Sequence, residues 1–143
     1  MATKTFAYYP YLEGTGAVNN ATDTFKMAIV TEDYSTIDAI ATDPTLTTFT
    51  EVAQGGNYTA GGVSVTPSYT YSAGTTKLDF TDVSIAKGAG SPVNGKTGVI
   101  INVTAGNKAV QAVDLNSGVA VDLVNDDLNV TISNTGAYAI TVS

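Results

Sequence analysis

Gly98-Val99-Ile100-Ile101-Asn102-Val103-Thr104, Ala105-Gly106-Asn107 and Lys108-Ala109-Val110-Gln111-Ala112-Val113-Asp114-Leu115 form the stretch that decides the fold. Two runs rich in β-branched residues flank a short turn signal, the pattern of a β-hairpin. On the C-terminal side the punctuation continues. Asn116-Ser117-Gly118 turns into a strand from Val119 to Val124, and Asn125-Asp126-Asp127 leads to one from Leu128 to Ser133. Leu128, Val130 and Ile132 alternate there with polar residues, as in a strand with one buried face. Asn134-Thr135-Gly136 precedes a last strand from Ala137 to Val142, with Tyr138, Ile140 and Val142 on one face.

The other direction is similar. Phe25, Met27 and Ile29 alternate with Lys26 and Ala28, giving a strand from Phe25 to Val30. Val63 to Tyr71 and Thr75 to Phe80 form a hairpin through Ser72-Ala73-Gly74, and Thr81 to Ile85 continues extended. Pro67 places its strand at an edge or a bulge, because proline has no N–H to give to a ladder. Residues 33–47 hold the one short helical segment, capped by Ser35 or Thr36, with Ile37, Ile40 and Leu46 facing inward. Residues 1–22 read as an extended arm, since Pro10 argues against a helix. The sum is an all-β chain: an antiparallel β-sandwich or partly open barrel of about eight strands, one domain over residues 23–143 behind its arm.

Composition narrows the chemistry. The chain has 143 residues with no cysteine, histidine or tryptophan, and all 6 basic residues are lysines. Disulfides, Cys/His metal centres and imidazole or thiol catalysis are excluded. Charged residues are 13% of the chain, about half the usual share, and 23 threonines with 14 glycines take their place. The net charge of −7 disfavours nucleic acid, which needs Lys and Arg to neutralise phosphates. No run approaches a membrane span of about 20 apolar residues, and the first ten residues carry no secretory core. The expectation is a protein made in a cytoplasm, without cofactor or membrane.

Three groups invite a functional reading. Asp122, Asp126 and Asp127 cluster, as do Asp79 and Asp82, but none has a calcium-loop spacing, and aspartate commonly bounds turns. Gly55-Gly56-Asn57-Tyr58-Thr59-Ala60-Gly61-Gly62 superficially resembles a phosphate cradle. It precedes a strand and holds no lysine, so a tight loop fixed by Tyr58 is the better reading. Phe6, Tyr8, Tyr9 and Tyr11 suit a protein interface, where tyrosine combines contact area with a hydrogen-bonding tip. Folding back on the domain and sugar stacking are the alternatives for that cluster.

An ordered set of segments resembles a family of small bacteriophage virion structural proteins of the capsid decoration or cement type. The set begins with Asp23-Thr24-Phe25-Lys26-Met27-Ala28-Ile29-Val30-Thr31 and Tyr34, then the glycine loop around Tyr58. It continues with Leu78-Asp79-Phe80-Thr81-Asp82-Val83, Gly98-Val99-Ile100-Ile101 and Ala109 to Leu115, and closes with Val130 to Ser133, Gly136 and Ile140-Thr141. Asn57 replaces the family's usual glycine before Tyr58, and Asn102 a usual tyrosine. The lack of His, Cys, Arg and Trp argues against an enzyme, and the resemblance implies a β-sandwich-like structural component residing in the virion. It would bind the major capsid protein, bridge capsomers and assemble as a homotrimer, with Phe6, Tyr8, Tyr9, Tyr11 and Tyr58 as interface candidates. A tail, fibre or adhesin component binding a host surface glycan is the alternative. Removal of residues 1–12 is then expected to weaken association while leaving the domain folded.

Overall fold

The computed structural model describes residues 2–132 and the backbone of Tyr138–Thr141. The expected turn at Asn134-Thr135-Gly136 and the shared face of Tyr138, Ile140 and Val142 lie outside the described residues. The chain is all-β, and every strand pairing is antiparallel. A five-stranded sheet has the order β1 (Thr3–Thr5), β8 (Lys108–Asp114), β7 (Thr97–Asn102), β2 (Phe25–Val30), β3 (Val63–Val65). A three-stranded sheet joins β10 (Tyr138–Thr141), β5 (Thr75–Phe80) and β4 (Pro67–Ser72), and β6 (Val83–Ile85) pairs with β9 (Leu128–Val130). Among the described residues no sheet closes into a barrel; the arrangement is sandwich-like.

The deciding hairpin forms as expected. β7 pairs with β8, and Gly106 and Asn107 turn the chain at positive φ. Its partner β2 runs along the whole of β7, from Phe25 opposite Asn102 to Val30 opposite Thr97. Alternation sends Phe25, Met27, Ile29 and Ile100 to one face, where Leu78, Phe80, Val83, Ile85, Leu128 and Val130 of the smaller sheets meet them. Phe25 and Phe80 bring their ring centroids to 5.3 Å across this layer. The opposite face is buried as well. Val30, Val99, Ile101, Ala109 and Ala112 lie under Phe6, Ile37 and Phe49. Ala28, an outward position by simple alternation, is therefore fully buried.

A short helix α2 (Tyr34–Asp38) and a 3-10 turn (Leu46–Thr48) lie in the segment that covers that second face, with Ile37, Ile40 and Leu46 turned inward as expected. Asp33, rather than Ser35 or Thr36, stands at the N-cap position of α2. Pro67 opens β4 on the edge of its sheet. Because proline cannot continue a ladder, the expected strand Val63 to Tyr71 splits there, β3 staying with one sheet and β4 with another.

Two further expectations need correction. Residues 1–22 are not a purely extended arm: β1 adds to the edge of the large sheet, and helix α1 (Tyr8–Gly14) follows. Pro10 is its third residue, where the missing N–H has no intrahelical acceptor to lose. The strand expected from Val119 to Val124 is irregular, with one bridge between Val121 and Gly95 and a turn beginning at Leu123. Asp122 Oδ1 accepts the Val124 and Asn125 amides at 3.0 and 3.2 Å, and such local bonds compete with a ladder. No helix of the described residues is long and apolar enough to cross a membrane.

One buried polar group stands out. Gln111 is 2% exposed in β8, and its Oε1 has no hydrogen-bond partner among the described residues. A desolvated, unbonded carbonyl costs about 1–3 kcal/mol. Gln111→Met, which keeps the length of the side chain, is expected to raise stability by about 1 kcal/mol in urea unfolding. A loss of stability would show that the amide is bonded in solution.

Candidate functional site

The glycine loop is a structural clamp. β3 pairs with β2 only from Phe25 to Met27, so at Ile29 the ladder has no further strand to bond. Tyr58 Oη fills the gap, accepting the Ile29 N–H at 3.0 Å, while the Val52 N–H donates to the Ile29 carbonyl at 3.0 Å. The same hydroxyl donates to Glu51 Oε1 at 2.7 Å, which also accepts the Gly61 N–H at 2.6 Å. Asn57 donates through Nδ2 to the carbonyls of Ala86 and Lys87 at 3.0 and 3.1 Å, tying the loop to its neighbour. The expectation of a tight loop fixed by Tyr58 holds. Tyr58 itself, 1% exposed, is a core residue and offers no surface to a partner.

The N-terminal aromatic residues divide. Phe6 is buried against Phe49, with ring centroids 6.3 Å apart. Tyr9 is buried at the centre of a polar network: its hydroxyl donates to Asn20 Oδ1 at 2.6 Å and accepts from Asn102 Nδ2 at 3.0 Å. Asn102 also donates to Asp23 Oδ2 at 2.7 Å, and Asn20 Nδ2 donates to Glu13 Oε1 at 3.0 Å and to Tyr69 Oη at 2.8 Å. Tyr8 and Tyr11 remain exposed on the outer side of α1, their ring centroids 5.0 Å apart. Burial thus removes Phe6, Tyr9 and Tyr58 from the interface candidates and leaves Tyr8 and Tyr11. Deleting residues 1–12 would strip the core of Phe6 and Tyr9, so it no longer isolates association from folding.

Sequence reasoning missed Tyr69 and Tyr71, exposed on β4, and the polar pair Asn20 and Asn102. Asn102 carried a signal, a lone amide closing an apolar run. Tyr69 carried none, because only the fold brings β4 to Asn20. Where β4 and the Asn20–Thr24 segment meet, a groove of about 510 Å³ opens, lined among the described residues by Asp23, Ser64, Thr66, Ser68 and Tyr69.

The aspartates bound turns and edges. Besides Asp122, Asp127 Oδ1 accepts the Lys87 N–H at 2.8 Å, Asp82 Oδ1 the Ile132 N–H at 2.8 Å, and Asp79 Oδ1 the Phe80 N–H at 2.8 Å. The hydrogen bonds donated by Asn125, Val124 and Asn125's own amide hold the Asp122 carboxyl below its usual range. Among the described residues no three acidic groups gather in a way that would hold a metal ion.

Burial pushes the Tyr9 and Tyr58 hydroxyls well above the ordinary tyrosine range. Asn102 opposes this at Tyr9, and the Ile29 amide at Tyr58; Asp23, Glu13 and Glu51 add to it. A raised folded-state pKa means stability is complete below the unfolded value, about 10, and is lost as pH rises beyond it. Resistance to urea is therefore expected to be steady from about pH 7 to 9 and to fall above about pH 10. Tyr9→Phe should show a shallower alkaline decline; an identical slope would mean that Tyr9 ionises freely in the folded state.

No family model, curated protein or solved structure matches the chain.

Proposed function

We propose that this chain is a bacteriophage virion structural protein, a capsid decoration or cement protein that binds the outer shell as a trimer and bridges capsomers. The ordered set of segments from Asp23-Thr24 to Ile140-Thr141 carries the reading. Among the described residues, its segments include β2, the Tyr58 clamp, the second half of β5, most of β7 and β8, Val130 at the end of β9 and Ile140-Thr141 of β10. The outer face of α1 adds physical support. Tyr8 and Tyr11 form an exposed aromatic pair, and aromatic residues are enriched at interface cores that are depleted of charge. Three-fold positions of a shell favour closed cyclic assembly, and several weak contacts made at once strengthen each other through effective concentration. The net charge of −7 keeps crowded copies apart.

The test compares particles made with and without the gene for this chain by electron microscopy. Regular added density on the outer shell is the expected difference; a few copies confined to the tail would refute the proposal. Tyr8→Ala with Tyr11→Ala spares the core and is expected to weaken co-sedimentation with stripped particles by about tenfold, at unchanged thermal unfolding. Unaltered binding would exclude the α1 face as the docking surface.

A further inference from the structure

The groove between the Asn20–Thr24 segment and β4 differs from a second depression, on the side of Asp122. That second space, of about 330 Å³, is lined by Asp122, Asp126 and Asp127, and two of these carboxylates are already committed to turn and loop amides. The β4 groove instead joins an aromatic wall to several kinds of polar group. Its volume of about 510 Å³ falls within the range of small-ligand sites, roughly 300–1,000 Å³.

Tyr69 forms the wall, with 46% of its surface exposed. Its hydroxyl is held by Asn20 Nδ2, and Asn20 is in turn fixed by Tyr9 and Glu13, so the ring is oriented before any ligand arrives. Asp23 is equally fixed. Its Oδ2 accepts from Asn102 Nδ2 at 2.7 Å and from the Asn19 N–H at 2.9 Å, leaving Oδ1 as the acceptor for a bound hydroxyl. Ser64, Thr66 and Ser68 contribute hydroxyls to the same space. Preorganised groups of this kind lower the ordering cost of binding.

Charge selects the ligand class. No lysine lines the groove, Asp23 does, and the chain carries −7 overall, so phosphates and other anions are repelled. An aromatic face beside a carboxylate and hydroxyls matches a neutral pyranose. Such a ring has an apolar C–H face and a rim of hydroxyl donors and acceptors. We infer that this groove is a saccharide-binding site, with Tyr69 stacking on a sugar ring and Asp23 accepting its hydroxyls. The inference is independent of the capsid proposal, since sugar binding is read on the isolated protein and shell binding on particles.

The experiment titrates the full-length ¹⁵N-labelled protein with maltotriose, cellotriose and the trimer of N-acetylglucosamine, and with glucose as the single-ring arm. The expected result is amide shifts centred on Asn20, Asp23 and Ser64 to Tyr69 for at least one trisaccharide. Saturation transfer should reach that sugar's ring protons. Tyr69→Ala should weaken binding by about tenfold, while Tyr69→Phe, which keeps the ring face, should weaken it by no more than about threefold. Ser64→Trp fills the groove from an exposed strand position and should abolish binding with the spectrum otherwise intact. Absence of shifts with all three trisaccharides, shifts centred elsewhere, or unchanged affinity in folded Tyr69→Ala or Ser64→Trp would overturn the inference.

Discussion

Gly62→Ala is expected to destabilise the protein by about 4 kcal/mol, close to the whole stability of a marginal domain. Two effects combine. Gly62 adopts φ +92°, a conformation that costs an L-residue about 1–2 kcal/mol. A Cβ at this position would also collide with the carbonyl of Met27 and the amide nitrogen of Ala28, where the clamp loop crosses β2. Both are backbone atoms in a central strand and have nowhere to retreat; overpacking of this kind costs about 1–3 kcal/mol more. Gly61 provides the control. It has φ +89° but open space around its Cα, so Gly61→Ala should cost about 1–2 kcal/mol. Equal urea midpoints for the two variants would show that the close approach to β2 does not limit stability.

Tyr58→Phe is expected to cost about 2 kcal/mol, far more than the loss of a surface hydroxyl. Without Oη, the Ile29 N–H lies buried with no acceptor, since β3 ends its pairing at Met27. Glu51 loses one of its two donors and keeps only the Gly61 N–H. Tyr58→Ala adds the cavity left by a fully buried ring and should cost about 4–5 kcal/mol. Denaturant unfolding of the two variants separates the hydroxyl from the ring. A cost below about 0.5 kcal/mol for Tyr58→Phe would mean that water replaces the hydroxyl in the ladder.

Both predictions concern a loop whose nature was legible in the sequence, whereas its bonding was not. The glycines and the absence of lysine excluded a phosphate cradle and pointed to Tyr58 as the fixing residue. Nothing in the loop names Ile29 or Glu51 as its partners. At the N-terminus the local rule misled. Pro10 breaks helices when it falls inside them, yet here it falls in the first turn, where its deficit is harmless. The candidate groove was not legible at all. Its wall comes from β4 and its floor from residues near position 20, which meet only after the sheets have stacked.

The sequence by itself determined the β class, the strands from Phe25 to Val30 and Thr75 to Phe80, the β7–β8 hairpin and most of the turns. Side-chain alternation and the φ preferences of glycine and asparagine act within a few residues and survive any packing. The tertiary structure alone decided which aromatic rings are buried and which remain outside. Phe6 and Tyr9 disappear into two different cores, while Tyr8, Tyr11, Tyr69 and Tyr71 stay at the surface. Burial depends on which distant segments come to lie over a residue. A tyrosine has the same intrinsic preferences whether its hydroxyl meets Asn20, Glu51 or solvent.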